Sequence, residues 1–101
     1  EEDHDHDDFE SFVIDLAPAS DPETLVALLS QVAGAHEVLR MKGFIEVAGK
    51  PLRLLVQGVG ARFQHHYDRP WKMGEARASR LVVIGRKGLD RESIARRLSG
   101  L

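Results

Sequence analysis

Two pairs of histidines and a run of arginines hold most of the chemistry that this chain of 101 residues could perform. His4 and His6 alternate with Asp3, Asp5, Asp7 and Asp8. Imidazole nitrogens beside carboxylate oxygens form a donor set that takes Co²⁺, Zn²⁺ or Ni²⁺ weakly, even on a flexible segment. The same stretch, Glu1 to Asp8, contains no apolar residue, so it reads equally as a solvated acidic linker. His65 and His66 are adjacent, and on a strand neighbouring side chains point to opposite faces, so the two cannot close on one ion without distortion. We expect one of them to face solvent and the other the sheet interior or the acidic N-terminal tail, with metal ligation by either as the alternative to a packed or surface role.

Other reactive constellations are missing from the sequence. It has no cysteine, which removes disulfides, thiolate metal sites and a cysteine nucleophile. No Gly-x-x-x-x-Gly-Lys-Ser/Thr run is present to cradle a triphosphate. Gly58-Val59-Gly60 comes nearest to a dinucleotide fingerprint, yet it lacks the third glycine and leads into strand-like residues. Neither Ser30 nor Ser79 sits in a nucleophile elbow. No acid, base and nucleophile set can be named, so the chain is expected to be no enzyme by itself.

Charge and aromatic residues point instead to contact surfaces. The net charge of −2 conceals six acids within the first eight residues, leaving ten Asp and Glu against fourteen Lys and Arg in the remainder. That body favours an anionic partner, or an acidic segment of its own that screens it. Trp71, beside Tyr67, Arg69 and Pro70, forms an aromatic knot of the kind that anchors interfaces, or that staples a long loop onto a core. Arg53, Arg69 and Trp71 are therefore candidate partner-docking residues. With Arg62, Arg77, Arg80, Arg86 and Lys87 the arginines could form a basic sheet face, and an RNA-binding reading would require exposed aromatics among them. Phe44 and Phe63 share parity with core residues and are expected to be buried.

These residues must be positioned by a single small domain, since a chain of this length supports one core. Its 43% hydrophobic and 30% charged residues are ordinary for a globular protein, and no apolar run reaches membrane-spanning length. The acidic lead-in is unlike a basic, apolar leader, so a cytoplasmic location is expected. Phe9 to Leu16 has the β-branched and aromatic content of a strand. Ser20 or Asp21 then caps a helix, with Pro22 suited to its first position, and Leu25, Leu28, Leu29 and Val32 form its apolar stripe up to a stop at Gly34. Glu37 to Val47 and Leu52 to Val59 read as a hairpin across Ala48-Gly49-Lys50-Pro51. Gly58 and Gly60 suggest a bulge or bend before Ala61 to Tyr67 continues the strand. After a polar excursion, Arg80 to Gly85 is a compact apolar strand, and Asp90 can cap a last helix whose inner face is Ile94, Leu98 and Leu101. The expected fold is α+β: a two-layer sandwich with a mostly antiparallel four-stranded sheet and two helices, in the order β-α-β-β-β-α.

Several of these pieces occur together in a known family. Phe9 to Leu16 after an Asp/His-rich lead, Leu39-Arg40-Met41-Lys42-Gly43-Phe44, Gly49-Lys50-Pro51-Leu52-Arg53-Leu54-Leu55-Val56-Gln57, Tyr67-Asp68-Arg69-Pro70-Trp71, and Arg80-Leu81-Val82-Val83-Ile84-Gly85 with Gly88-Leu89-Asp90 resemble the C-terminal domain of the CobW family. The resemblance implies a division at residue 9, with residues 1–8 the end of a linker and residues 9–101 the domain. It further implies an N-terminal P-loop GTPase domain of the same protein, which would hold GTP and magnesium, and a metallochaperone function. Cobalt delivery for cobalamin synthesis is the implied setting, with a metal-requiring client such as a cobaltochelatase-like protein. This piece would then act as an accessory domain that docks on the client or on its own GTPase. No membrane partner is expected, and a stand-alone module binding RNA or protein is the competing reading.

Overall fold

The structure, a computed structural model, describes residues 8–99. Strand β1 runs Phe9–Leu16 and is followed by helix α1 at Pro22–His36. Four strands come next, β2 at Val38–Ile45, β3 at Leu52–Val59, β4 at Arg62–Pro70 and β5 at Ser79–Arg86, and helix α2 at Arg91–Ser99 closes the described chain. The fold is α+β as expected, with one strand more than the sequence suggested.

That extra strand comes from Gly60. Val59 pairs with Arg62, so Gly60 and Ala61 form a two-residue hairpin turn in place of a bulge or bend within one strand. Gly60 has φ of 58°, and a glycine at positive φ in the first central position supplies a turn whose twist matches the flanking strands. The Ser30 hydroxyl on α1 donates to the Ala61 carbonyl at 2.7 Å, tying this turn to the helix layer.

The sheet order is β1-β5-β2-β3-β4, and every neighbouring pair is antiparallel. Strand β5, the last in the chain, therefore lies between the first two. Close approach of β5 to β2 requires Gly43: a Cβ there would collide with the Arg80 carbonyl oxygen and sit 2.9 Å from the Leu81 Cα. Only a residue without a side chain allows the strands that near.

Both helices cover one face of the sheet. Asp21 caps α1, its carboxylate accepting from the Thr24 backbone N–H at 3.1 Å, which selects Asp21 over Ser20. The stripe lands as read, with Leu25, Leu29 and Val32 buried and Leu28 half-buried, although the helix passes the expected stop at Gly34 and ends two residues later. Glu37 takes the left-handed cap position, φ 56° and ψ 43°, and its N–H donates to the Ala33 carbonyl. The overrun has a packing reason: Ala33 and Val38 are both buried, so the turn must fall between them. Asp90 caps α2 through Ser93, and Ile94 and Leu98 face inward, while Leu101 lies outside the described residues. Leu29, Ile45, Leu54, Leu81, Val83 and Ile94 are completely enclosed between the layers, and each contributes about 1.5–3 kcal/mol by leaving water.

Candidate functional site

Strand alternation that sends Met41, Ile45, Leu54, Leu81 and Val83 toward the helices sends the intervening residues to the other face. On β2 these are Arg40, Lys42 and Phe44, on β3 Arg53, and on β5 Arg80, Val82 and Ile84. Among the described residues no helix covers this face. A groove of about 710 Å³ runs along it, with Phe44, Val82 and Ile84 as its floor, and Trp71, Ala76 and Ala78 of the β4–β5 connection as one wall. Arg40, Lys42, Arg53 and Arg80 contribute the cations of its lining. A second depression of about 570 Å³ meets the first at Arg40 and extends over Gln57, Val59 and Arg62.

The wall is held by charge. Arg69 makes a bidentate pair with Glu75, both contacts at 2.9 Å, and Glu75 also accepts from the Lys72 backbone N–H at 2.7 Å. These donors pull the Glu75 carboxyl down to about 2 from its usual value of 4.5, the Arg69 hydrogen bond being the largest cause. The same bond raises Arg69 above its ordinary value. Arg53 reaches Asp68 at 2.6 Å and lies 3.6 Å above the Phe44 ring. Arg77 pairs with Glu46 at 3.3 Å and lies 5.9 Å from the Trp71 ring centre. The Trp71 backbone N–H donates to the Pro51 carbonyl, but its indole Nε1–H is buried with no acceptor among the described residues. A buried donor left unpaired costs about 1–3 kcal/mol, so the wall is pinned at its base and unsatisfied at its aromatic centre.

The three candidate docking residues meet here. Arg53 and Trp71 line the groove, and Arg69 buttresses its wall. Trp71 ties the β4–β5 connection to Pro51 through its backbone N–H and presents its ring to the groove. Of the other cations, Arg62, Arg80 and Arg86 lie on the open face, Arg77 braces the wall, and Lys87 lies in the turn after β5. Phe44 departs from expectation: a residue-39 irregularity in β2 shifts its parity, leaving it on the open face under Arg53. Phe63 is half-buried against Gly58 on the helix side. Arg40 and Lys42 stand in the sequence only within a family-bearing segment and not among the docking candidates, although their alternation with Phe44 in β2 is a usable signal.

The histidines do not converge. In register His65 stands opposite Val56 and His66 opposite Leu55, so they occupy opposite faces as read. Both are exposed, however, and neither faces an interior, because β4 is an edge strand. His4 and His6 lie outside the described residues. Among the described residues no group of three or more His, Asp or Glu is placed to hold a metal ion, and no helix is long and apolar enough to cross a membrane.

Comparison with known proteins decides the family. The model of the cobalamin synthesis protein cobW C-terminal domain matches residues 9–101. The chain belongs to the CobW C-terminal domain family. It is 48% identical over 100 residues to a zinc chaperone CobW from Sinorhizobium, covering 99% of this chain and 28% of that protein. A zinc chaperone CobW from Pseudomonas aeruginosa is 53% identical over 88 residues, covering 87% of this chain and 23% of that protein. The zinc chaperone YjiA of Escherichia coli is 33% identical over 96 residues, covering 93% and 30%. A crystal structure of the zinc-bound YjiA GTPase from E. coli superposes with a TM-score of 0.76 at 30% identity, over 96% of this chain and 30% of that one. The chain thus spans less than a third of the length of each relative. In this CobW domain the Lys42-Gly43-Phe44 segment acquires a physical meaning: the glycine admits β5, and its two neighbours line the open face.

Proposed function

We propose that this CobW domain is the accessory domain of a GTP-dependent metallochaperone, and that it works by docking through its open sheet face. The observation that carries the reading is the groove itself: an apolar floor, a cationic lining and a wall pinned by Arg69 and Glu75, on a sheet face the domain leaves uncovered. The partner is a metal-requiring client or the GTPase domain of the same protein. GTP, its magnesium and the transported metal belong to that larger protein, in a cytoplasmic setting. The cobalt setting came from the family resemblance. Relatives described as zinc chaperones support zinc as the cargo instead.

RNA binding loses ground on one observation. Phe44, the aromatic on the groove floor, has its ring covered by the Arg53 guanidinium at 3.6 Å, so that ring offers no free surface for a base to stack on. The experiment that tests the docking reading compares the full-length protein with a form ending before residue 9 of this chain, following zinc transfer to a client and GTP turnover. The expected result is impaired transfer with an altered dependence on nucleotide. Equal values for both forms would remove the proposal.

A further inference from the structure

Among the described residues the groove's cations are unequally engaged. Arg53 is committed to Asp68 and stacked on Phe44, and Arg80 is shared with Asp15 at 2.9 Å. Arg40 and Lys42 are exposed and form no ion pair with a described residue, although both stand at the groove lining on β2. Below them lies an apolar floor in which Val82, on an interior strand of the sheet, remains 38% exposed. Such a face is complementary to a ligand carrying both negative charge and apolar side chains. Neither property alone matches it.

We propose that this groove binds an acidic segment of a partner protein, in which large apolar side chains enter between Trp71 and Val82 while Asp or Glu residues meet Arg40 and Lys42. The proposal rests on the docking reading and supplies the chemistry of its partner. Three features support it. A volume of about 710 Å³ accommodates a few anchoring side chains, and the lining joins an apolar floor of Phe44, Val82 and Ile84 to the cations of β2, β3 and β5. Apolar burial supplies affinity while the cationic lining sets register and encounter rate. The buried Trp71 Nε1–H has no acceptor among the described residues, and a slight outward movement of the wall would let an occupant's carboxylate or carbonyl accept it.

Trp71 is the sole tryptophan of the chain, so its fluorescence reports the groove directly. The probe is a synthetic peptide alternating Glu with Leu around a central Phe, titrated into the 101-residue chain at low and high salt. A saturable change in Trp71 emission is expected, weakening as salt rises because exposed charges are screened. A Lys-for-Glu version of the peptide should give no change. The paired replacement Arg40→Glu with Lys42→Glu should weaken binding by about tenfold or more. Arg40→Ala with Lys42→Ala should weaken it less and keeps the test valid should charge reversal disturb folding, which a melting curve reports. Undiminished binding by the alanine pair, equal response to the Lys peptide, or displacement of the acidic peptide by single-stranded RNA would each overturn the proposal. If the peptide test fails while loss of residues 9–101 still impairs zinc transfer, the docking reading stands and only its assignment to an acidic partner falls.

Discussion

The two faces of one sheet are built from the same strands and obey opposite rules. On the helix side, Leu54, Leu81 and Val83 are fully enclosed, and the one buried polar side chain among the described residues, Ser79, accepts from the Glu46 backbone N–H at 2.9 Å. On the open side, Val82 and Ile84 lie next to cations, the Trp71 indole donor is unpaired, and the loop above them is held by ion pairs instead of apolar burial. Stability is concentrated on the first face. The second retains exposed apolar area and unmatched charge, which a domain optimised for stability alone would remove.

Adjacent residues on β5 put the contrast to its strongest test. Leu81 is completely buried and its neighbour Val82 is 38% exposed. Leu81→Ala should destabilise the domain by about 2–5 kcal/mol through lost burial and a cavity. Val82→Ala should cost only about 0.5–1 kcal/mol. Thermal or urea unfolding of the two variants checks this, and comparable losses would mean that the open face carries structure as well as contact.

A smaller effect is expected where the faces share a backbone requirement. Gly43→Ala forces a methyl against the Arg80 carbonyl and should cost about 1–3 kcal/mol, measured by the same unfolding curves. Amide exchange should show the loosening at the β2–β5 seam, with the β3–β4 hairpin retained.

The gentlest test concerns the wall. Glu75 titrates lower in the folded protein than the usual 4.5, so its contribution is fully present above that value and is lost as pH falls toward about 2. Trp71 emission should therefore change over this acid window before the core unfolds. Glu75→Gln should reproduce that change at neutral pH with little effect on global unfolding. If Trp71 responds only when the core melts, the wall belongs to the core and the contrast between faces narrows.

How much of this was legible differs from residue to residue. Asp21, Pro22 and the Leu25, Leu29 and Val32 stripe announced α1, because caps and helical periodicity are local signals. Asp90 did the same for α2. Gly60 signals a bulge or bend in sequence, but a glycine between two strand-like runs is equally compatible with a tight turn, and the pairing of Val59 with Arg62 decides for the turn. Phe44 lies on the open face because the irregularity near Leu39 shifts the alternation along β2, which parity in the sequence does not record. Arg53, Arg69 and Trp71 were picked out by residue type. That two line one groove while the third braces its wall could not be read from a linear spacing.

Local chemistry in the sequence determined the helix starts, the strand-forming runs, the family-bearing segments and the cationic body, since each depends on residues within a turn or two of one another. The tertiary structure alone decided that β5 enters between β1 and β2, bringing Val82 and Ile84 beside Arg40 and Lys42 across some forty positions of chain. Strand order is settled by long-range pairing and by which side chains can share a core, and no local pattern records either.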